Sequence, residues 1–400
     1  RGLVGSEMCI RDRMGIDQDF SPRNIFYGQN KIRQHMYCQE FTVKSVNKSR
    51  YHWITGAFVF RQTINRKVDL SRFTDTTRHL TNSGIPTQGI AFYYQSTLDL
   101  LQGLSCSVGL RYDYEHARCD FSKVQQPLNG NGETKSLEQF NRSLHFGQFT
   151  PRFSMQYLSS HNQLFYASVS KGYKAGGFNV SFLNNDDYLY SPEYNWNYEI
   201  GTKLSFLNNR LSADLSLFYI DWRNQQITNT IPTVGNVIRN AGRSRNKGIE
   251  ASFQARPTKS WMMYMNYGYT DARFVHYQKE ERGILKDYEG NYLPMVPRHT
   301  FSLTTGYSFY DICSWIDRLT LNAGVSVTGP IYWYEDNQAK QSPYALVNLR
   351  ISINKGCFTW EAWSKNLTNT DYLSYYFVTS KAYAQKGKPI TLGTSVSISL

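Results

Sequence analysis

Two groups of side chains in this sequence have the chemistry to hold a large or anionic molecule. Tyrosine and tryptophan rings stack against extended ligands, and arginine guanidinium groups donate paired hydrogen bonds to carboxylate and phosphate oxygens. The aromatic and basic candidates for ligand binding are Tyr188, Tyr190, Tyr194, Trp196, Tyr332, Trp333, Tyr334, Arg239, Arg243 and Arg245. These residue types indicate a binding surface.

Sequence motifs of catalysis and of metal binding are absent. There is no G-x-S-x-G, no H-E-x-x-H and no dinucleotide fingerprint, and the segment 130–136, which faintly resembles a phosphate loop, has no glycine directly before Lys135. The six cysteines and eight histidines are scattered, without a C-x-x-C pair or zinc-ligand spacing. We therefore expect no enzyme, no catalytic residue, no metal site and no cofactor.

Composition excludes several classes of protein. Aromatic residues make up 15% of the 400 residues and charged residues 19%, so the chain can bury enough apolar surface to fold. No apolar run approaches the roughly 18 residues of a membrane helix. The net charge of +13 would suit nucleic acid, an anionic membrane or an acidic ligand. Because no run of five or more Lys or Arg occurs, we expect no nucleic-acid partner.

Alternation of apolar and polar residues with a period of two is the main structural signal. From residue 104, for example, Leu104, Val108 and Leu110 share one face of a strand while Ser105 and Arg111 share the other. Fifteen strands are predicted, near 34–46, 51–65, 87–99, 103–117, 145–158, 162–174, 194–206, 210–223, 245–256, 259–273, 297–309, 317–331, 343–353, 357–367 and 391–400. Strands of ten or more residues exceed the usual globular length and match a tilted membrane-spanning strand.

The connections between these strands alternate in length. Short turns are predicted at 47–50, 100–103, 159–162, 207–210, 256–259, 310–315 and 354–356, and long loops at 66–86, 118–144, 175–193, 224–244, 274–296, 332–342 and 368–390. This asymmetry is typical of an outer-membrane barrel, whose long loops lie outside the cell. The predicted fold class is therefore all-β, a transmembrane antiparallel β-barrel. A soluble β-sandwich, the alternative, would carry charges rather than small polar residues on its second face.

Several motifs within these strands carry a family resemblance. They are SKGYKAGGFN at 170–179, NYEIGTK at 197–203, NAG at 240–242, KGIE at 247–250, PRHT at 297–300, and NLTN at 366–369 followed by Tyr372. In this order they resemble the barrel of TonB-dependent outer-membrane receptors, from about residue 40 to the end. That family has a 22-stranded barrel filled by a plug domain. The resemblance implies that about 15 strands of the barrel are present, and that the plug and the N-terminal box that engages TonB are absent.

The sequence also predicts how the chain is divided. We interpret residues 1–13 as a non-native, adapter-like leader, 14–33 as a partial loop or strand lead-in, and 34–400 as the C-terminal portion of the barrel. Family members usually end on an aromatic residue, often Phe, whereas this chain ends on Leu400.

A receptor function follows from the resemblance. It implies energised uptake of a scarce nutrient across the bacterial outer membrane, most closely a ferric siderophore, with a small-molecule metal chelate as cargo. Cobalamin, carbohydrate and nickel complexes use the same barrel, and a passive porin-like channel is the alternative function. The implied partners are outer-membrane lipid, lipopolysaccharide, and the TonB complex, which is reached through the plug. An outer-membrane hydrolase with Ser and His in its wall is the enzyme alternative.

Charged residues on the polar face of the strands are predicted to face the lumen and the plug. They are Arg111, Asp113, Lys174, Glu199, Lys203, Asp214 and Glu250, for which pairing within the wall is the alternative. Four of the candidates for ligand binding could also have other roles. Tyr332 and Tyr334 could be lipid-facing girdle residues, and Arg243 and Arg245 could be solvated or face lipopolysaccharide.

One hairpin can be predicted to the residue. If Asn208 and Asn209 form a two-residue turn, which asparagine favours because it tolerates positive φ, the register of the flanking strands is fixed. Lys203 then lies opposite Asp214, and both side chains point into the lumen. We expect their charges to meet as a cross-strand pair.

Overall fold

The fold is a single large antiparallel sheet. The computed structural model describes residues 2–17, 25–46, 49–231, 235–240, 242–281, 284–378 and 381–399. Over these residues, sixteen strands pair in chain order. They are β1 (Gly2–Asp17), β2 (Phe26–Lys44), β3 (Tyr51–Arg72), β4 (Thr77–Leu101), β5 (Leu104–Pro127), β6 (Lys135–Leu158), β7 (Leu164–Lys174), β8 (Glu193–Phe206), β9 (Leu211–Arg223), β10 (Arg243–Ala255), β11 (Trp261–His276), β12 (His299–Cys313), β13 (Ile316–Thr328), β14 (Tyr344–Lys355), β15 (Phe358–Lys365) and β16 (Thr391–Ile398).

The connections differ at the two ends of the sheet. At one end, the turn end, they are short. At the other, the loop end, the described residues form five small hairpins and one 3₁₀ helix, Asn185–Tyr188. The hairpins pair Gly177–Phe178 with Leu189–Tyr190, Gln226–Ile231 with Gly235–Asn240, Gln278–Glu281 with Ile284–Asp287, Ile331–Tyr332 with Lys340–Gln341, and Leu373–Val378 with Ala382–Lys386. The described part of the chain contains no helix long and apolar enough to cross a membrane.

The two faces of the sheet differ in polarity. On β8, Tyr198 and Ile200 project from one face, and the side chain of Ile200 is 58% exposed. Glu199 and Lys203 project from the other. Exposing a continuous apolar face to water is unfavourable, and a barrel of this kind covers that face with lipid. We call the apolar side the lipid face and the polar side the lumen face.

All fifteen predicted strands are confirmed, and a sixteenth precedes them. Gly2–Asp17 was predicted to be a leader and lead-in, yet it forms β1 and pairs with β2 from Gly2 opposite Thr42 to Asp17 opposite Tyr27. Backbone pairing at a sheet edge requires no particular side chain, so alternation gave no signal there. The interpretation of 1–13 as non-native stays a prediction. Leu400 lies outside the described residues.

Two predicted loops are mostly strand. β3 and β4 continue to a turn at 73–76, through the predicted loop 66–86, and β5 and β6 continue to 128–134, through the predicted loop 118–144. Beyond the lipid the outward face of a strand meets polar surroundings, so the alternation fades while the backbone ladder continues. Arg66, for example, donates from Nε to Asn30 Oδ1 at 3.0 Å.

The predicted hairpin register is confirmed, but the predicted ion pair is wrong. Lys203 lies opposite Asp214, and the turn places Asn208 at φ 56° and Asn209 at φ 65°. Arg210 N donates to Leu207 O at 3.2 Å. Among the described ion pairs within 4.0 Å, however, Lys203 and Asp214 do not meet. Both side chains are exposed to the open lumen, where water screens their attraction and a fixed pair stabilises little.

Candidate functional site

The lumen face contains charged residues that are already paired within the wall. Arg111 Nε and Nη2 donate to the carboxylate of Asp113 at 2.7 to 2.9 Å. Tyr166 Oη donates to Glu199 Oε1 at 2.6 Å. Gly201 makes this contact possible, because a Cβ there would lie 2.6 Å from the Tyr166 hydroxyl. For these groups the structure favours pairing within the wall.

A second set of lumen residues is open to contact. Lys203, Asp214 and Glu250 line a hollow of about 630 Å³ in the lumen face. Lys174 is only weakly paired. Its Nζ lies 4.0 Å from Glu193 Oε1, and its side chain remains largely exposed. Within the described part of the chain, no three His, Cys, Asp or Glu side chains converge as a metal site.

Tyr188 belongs to an aromatic cluster at the loop end. We define the first loop cluster as Ala117, Cys119, Phe121, Phe140, Phe178, Phe182 and Tyr188. The Tyr188 ring is 5% exposed and lies 4.4 Å from the ring of Phe140. Its hydroxyl donates to Glu138 Oε1 at 2.7 Å. Burial and this hydrogen bond raise the pKa of Tyr188 to about 12.

The first loop cluster lies on the lumen side of the sheet. Phe121 is an even number of residues from Asp113 along β5, with no register shift between them, so both project from the same face. Phe121 stacks on Phe140 of β6 at 4.8 Å, and Phe182 of the loop 175–193 packs against both rings. The loop therefore folds inward. Tyr190 lies in the same loop, and burial raises the pKa of its phenol.

Arg239 is tied to the same loop. Its Nε and Nη2 donate to the two carboxylate oxygens of Asp187 at 2.7 and 2.9 Å. The hydrogen bond from Arg239 holds the pKa of Asp187 below its ordinary value. Asn179 adds two bonds of 2.8 Å, one to and one from the backbone of Ile238. Loop 175–193 and the hairpin at 226–240 therefore form one connected unit.

Four other candidates lie on the lipid face instead. Tyr194 and Trp196 alternate in phase with Tyr198 and Ile200 along β8, so they project toward lipid. Two of the basic candidates, Arg243 and Arg245, project from this face near the loop end of β10. Arg243 Nε donates to Asp221 Oδ1 at 2.6 Å, and the Arg245 side chain is exposed. The structure thus separates these four from the lumen-side candidates.

The remaining aromatic candidates lie in two sets of rings. Tyr332 stacks on Tyr292 at 5.5 Å. The ring of Trp333 lies 6.3 Å from that of Tyr375 and 6.4 Å from that of Tyr376. The hydroxyl of Tyr334 accepts a hydrogen bond from the backbone N of Val378 at 2.7 Å, and burial raises its pKa. Sequence reasoning missed Tyr292, Tyr375 and Tyr376 as members. The segment 372–377, with four aromatic residues, offered a signal for two of them.

The sequence is similar to those of known outer-membrane receptors. It is 24% identical to the pesticin receptor of Yersinia pestis over 354 residues, which cover 85% of this chain and 48% of that protein. It is 26% identical over 241 residues to the probable TonB-dependent siderophore receptor PiuA of Acinetobacter baumannii, covering 56% of this chain and 30% of that protein. The chain thus spans about half the length, or less, of these curated relatives.

The fold also resembles a solved structure. The crystal structure of the ferric yersiniabactin uptake receptor FyuA from Yersinia pestis matches with a TM-score of 0.81 at 19% identity, over 99% of this chain and 58% of that one. At this identity the likeness shows the fold alone. Residues 14–369 match the family model described as TonB dependent receptor-like, beta-barrel. Because that match covers most of the chain, the protein belongs to the TonB-dependent receptor β-barrel family of outer-membrane proteins.

Proposed function

We propose that this barrel belongs to a receptor that takes up a ferric siderophore, or a similar metal chelate, by energised transport across the outer membrane. The observation that carries the proposal is the inward fold of the loop 175–193, which holds the first loop cluster at the loop end of a polar lumen wall. The names of the pesticin and siderophore receptors support this cargo class. The family is one of transport receptors and not an enzyme class.

The lumen wall supports the presence of a plug. We propose that Lys203, Asp214 and Glu250, which are exposed around the lumen hollow, hydrogen-bond a plug domain in the complete receptor. Arg111 and Asp113 already form an ion pair with each other, so they contribute less to binding of the plug. The plug would connect the barrel to the TonB complex, while outer-membrane lipid and lipopolysaccharide lie against the lipid face.

Energy coupling provides the test of this function. Cells producing the receptor from its complete gene are given a radiolabelled ferric chelate, with and without an agent that collapses the proton gradient. We expect uptake to stop when the gradient collapses while binding at the cell surface persists. Uptake that continues unchanged would instead establish the passive channel.

The orientation of the barrel can be tested by labelling. We expect a membrane-impermeant thiol reagent to modify cysteine at Asn184 or Gln338, both exposed at the loop end, in intact cells, but not cysteine at Asn208. Asn337 is a poor labelling position because its side chain bonds the backbone of Tyr292 at 2.7 and 2.9 Å. The native Cys313 and Cys357, exposed at the turn end, serve as controls that react only after permeabilisation. Labelling of Asn208→Cys, Cys313 and Cys357 in intact cells, without labelling at positions 184 and 338, would show the opposite orientation.

A further inference from the structure

Strand β6 is paired on both sides along only part of its length. From Arg152 to Leu158 it lies between β5 and β7, and toward the loop end it pairs with β5 alone. The ladder to β7 ends where Arg152 lies opposite Ser170, and β7 itself ends at Lys174. The loop 175–193 then folds inward instead of continuing the wall. Among the described residues, β6 therefore has no neighbouring strand on that side toward the loop end.

The hydrogen-bond pattern identifies which backbone groups lie on this edge. In an antiparallel ladder every second residue bonds one neighbour, and the residues between them point to the other neighbour. Leu158 N donates to Gly103 O at 2.7 Å, so the even-numbered residues of β6 bond β5. Ser159 N donates to Gln163 O at 2.9 Å, so the odd-numbered residues bond β7. The register to β5 does not shift between Leu158 and Glu138, so this assignment holds along that whole segment.

Pro151 explains why the ladder to β7 stops. The next bonded pair after Phe153 and Val169 would join Pro151 to Lys171. Proline has no N–H, so it cannot donate that bond. Beyond Pro151, the N–H and C=O groups of the odd-numbered residues point away from β5 and meet no described strand. We call these residues the open edge: Gln139, Asn141, Ser143, His145, Gly147 and Phe149.

The open edge lacks the features that usually protect the edge of a sheet. Natural edges are covered, or they carry lysine, proline or a bulge that prevents another strand from pairing. Here the register shift opposite Lys123 and Val124 lies beyond one end of the open edge, and Pro151 lies beyond the other. None of the six residues is Lys, Arg, Asp, Glu or Pro, and all six are exposed. The backbone groups between these two limits are thus accessible.

We propose that the open edge binds an extended segment of another protein, outside the cell, as an added β-strand. Its donors and acceptors repeat about every 6.7 Å, a spacing that a second extended backbone matches. Lipid chains offer no hydrogen bonds to these groups. The proposal is separate from the cargo site, and it takes from the proposed function only the orientation of the loop end.

The side chains beside the open edge define the chemistry of this partner. The alternate residues of β6, which face the lumen side, are apolar except for one arginine: Phe140, Arg142, Leu144 and Phe146. The side chains of the open edge itself face outward and are mostly small or polar. An added strand should therefore carry apolar residues at alternate positions, directed toward the lumen side, and polar residues between them.

A second copy of the barrel does not fit this edge. Two barrels in one membrane both direct β6 from the loop end to the turn end, so antiparallel pairing would require one of them to be inverted. Parallel pairing about an axis along the membrane normal fails too. The two strands would then cross at roughly twice their tilt of about 40°, whereas paired strands must run side by side.

The probe is a synthetic peptide of about eleven residues, the length of the open edge, in which valine and threonine alternate. Methyl groups on every second backbone nitrogen leave one edge of this peptide able to donate and prevent it from stacking on itself. The control peptide has the same sequence with methyl groups on the nitrogens of both edges. Binding of each labelled peptide to the complete receptor in detergent is measured by fluorescence anisotropy.

The receptor variant is Gln139→Pro/Ser143→Pro, which removes two donors from the open edge and places a ring against the incoming strand. Neither N–H belongs to the ladder with β5, so folding should be preserved. The matched control, Gln139→Ala/Ser143→Ala, shortens the same side chains and keeps both donors. Thermal unfolding and chelate binding, measured in parallel, establish that each variant is folded.

We expect the proline variant to bind the one-edged peptide about tenfold more weakly than the unaltered receptor, because it loses two hydrogen bonds. The alanine control should bind that peptide as the unaltered receptor does, and the control peptide should not bind. Equal binding of the two peptides, equal binding by the two variants, or no binding to the unaltered receptor would overturn the proposal. So would a receptor dimer that the proline variant loses, since a second copy would then occupy the edge. If the proline variant does not fold, the two peptides on the unaltered receptor still decide.

Discussion

Replacing Asp187 with asparagine should loosen the loop 175–193 from the hairpin at 226–240, which the bonds between Asn179 and Ile238 still join, and cost about 2–3 kcal/mol of stability at neutral pH. Removing one partner of a buried ion pair costs about 3–5 kcal/mol, because the other charge is left unpaired in a poorly solvated place. Arg239 is about one-third exposed, so water recovers part of that loss. The same carboxylate also accepts a bond from the backbone N of Leu183 at 3.1 Å.

Thermal unfolding of the complete receptor, together with limited proteolysis of its loops, would measure this effect. Asp186→Asn is the matched control, because Asp186 is the adjacent aspartate and its side chain is exposed. Adding Arg239→Gln to the Asp187→Asn variant should cost little more, since the pair is already broken. If Asp187→Asn and Asp186→Asn are equally stable, the ion pair does not hold the loop.

The contribution of Asp187 should also depend on pH. Its pKa is depressed in the folded protein by the hydrogen bond from Arg239, so folding favours the ionised carboxylate. The resulting stability is fully present above the ordinary carboxyl pKa of about 4 and is lost as pH falls through the lower folded value. The stability difference between the unaltered receptor and Asp187→Asn should therefore shrink in strong acid and be constant near neutrality.

The membrane-spanning part of the fold was predictable because two solvents act on each strand. Lipid selects apolar side chains on one face and the lumen selects polar ones on the other. The alternation of apolar and polar residues was therefore enough to predict β8 and β9. Their register was also predictable, because asparagine at 208 and 209 accepts the positive φ that a tight turn needs. These are local signals, and they are visible in a single sequence.

The loop end was less predictable because its order comes from distant contacts. Tyr188 packs on Phe140, and Arg239 bonds Asp187, yet nothing local to these residues indicates the partner. Tyrosine and arginine are also the types that bind ligands, so residue type could not separate internal packing from recognition. The structure makes this distinction by burial: Tyr188 is enclosed, whereas the exposed side chain of Arg245 projects from the lipid face.

A second internal core at the loop end leads to the other large expected effect. Phe274, at the end of β11, is 1% exposed and packs with Ala272, Tyr277, Tyr288 and Leu293. Its backbone also receives a bond from Gly290 N at 2.9 Å. Phe274→Ala should destabilise this unit by about 3–5 kcal/mol, because truncating a buried phenylalanine leaves a cavity that its neighbours fill only in part.

Hydrogen exchange of the complete receptor would locate the effect of Phe274→Ala. We expect faster exchange in the hairpin Gln278–Glu281 with Ile284–Asp287, and unchanged exchange in the membrane-spanning part of β11, whose ladder to β10 and β12 does not involve this ring. Phe309→Ala is the matched control: that ring is 42% exposed on β12, so its loss leaves no enclosed cavity. Exchange that rises equally in both variants would show that the Phe274 core does not order the loop. A confined rise would mean that this loop owes its order to a core of its own. That core lies on the lumen side of the sheet, because Phe274 lies opposite Ser244, which is an even number of residues from Glu250 along β10.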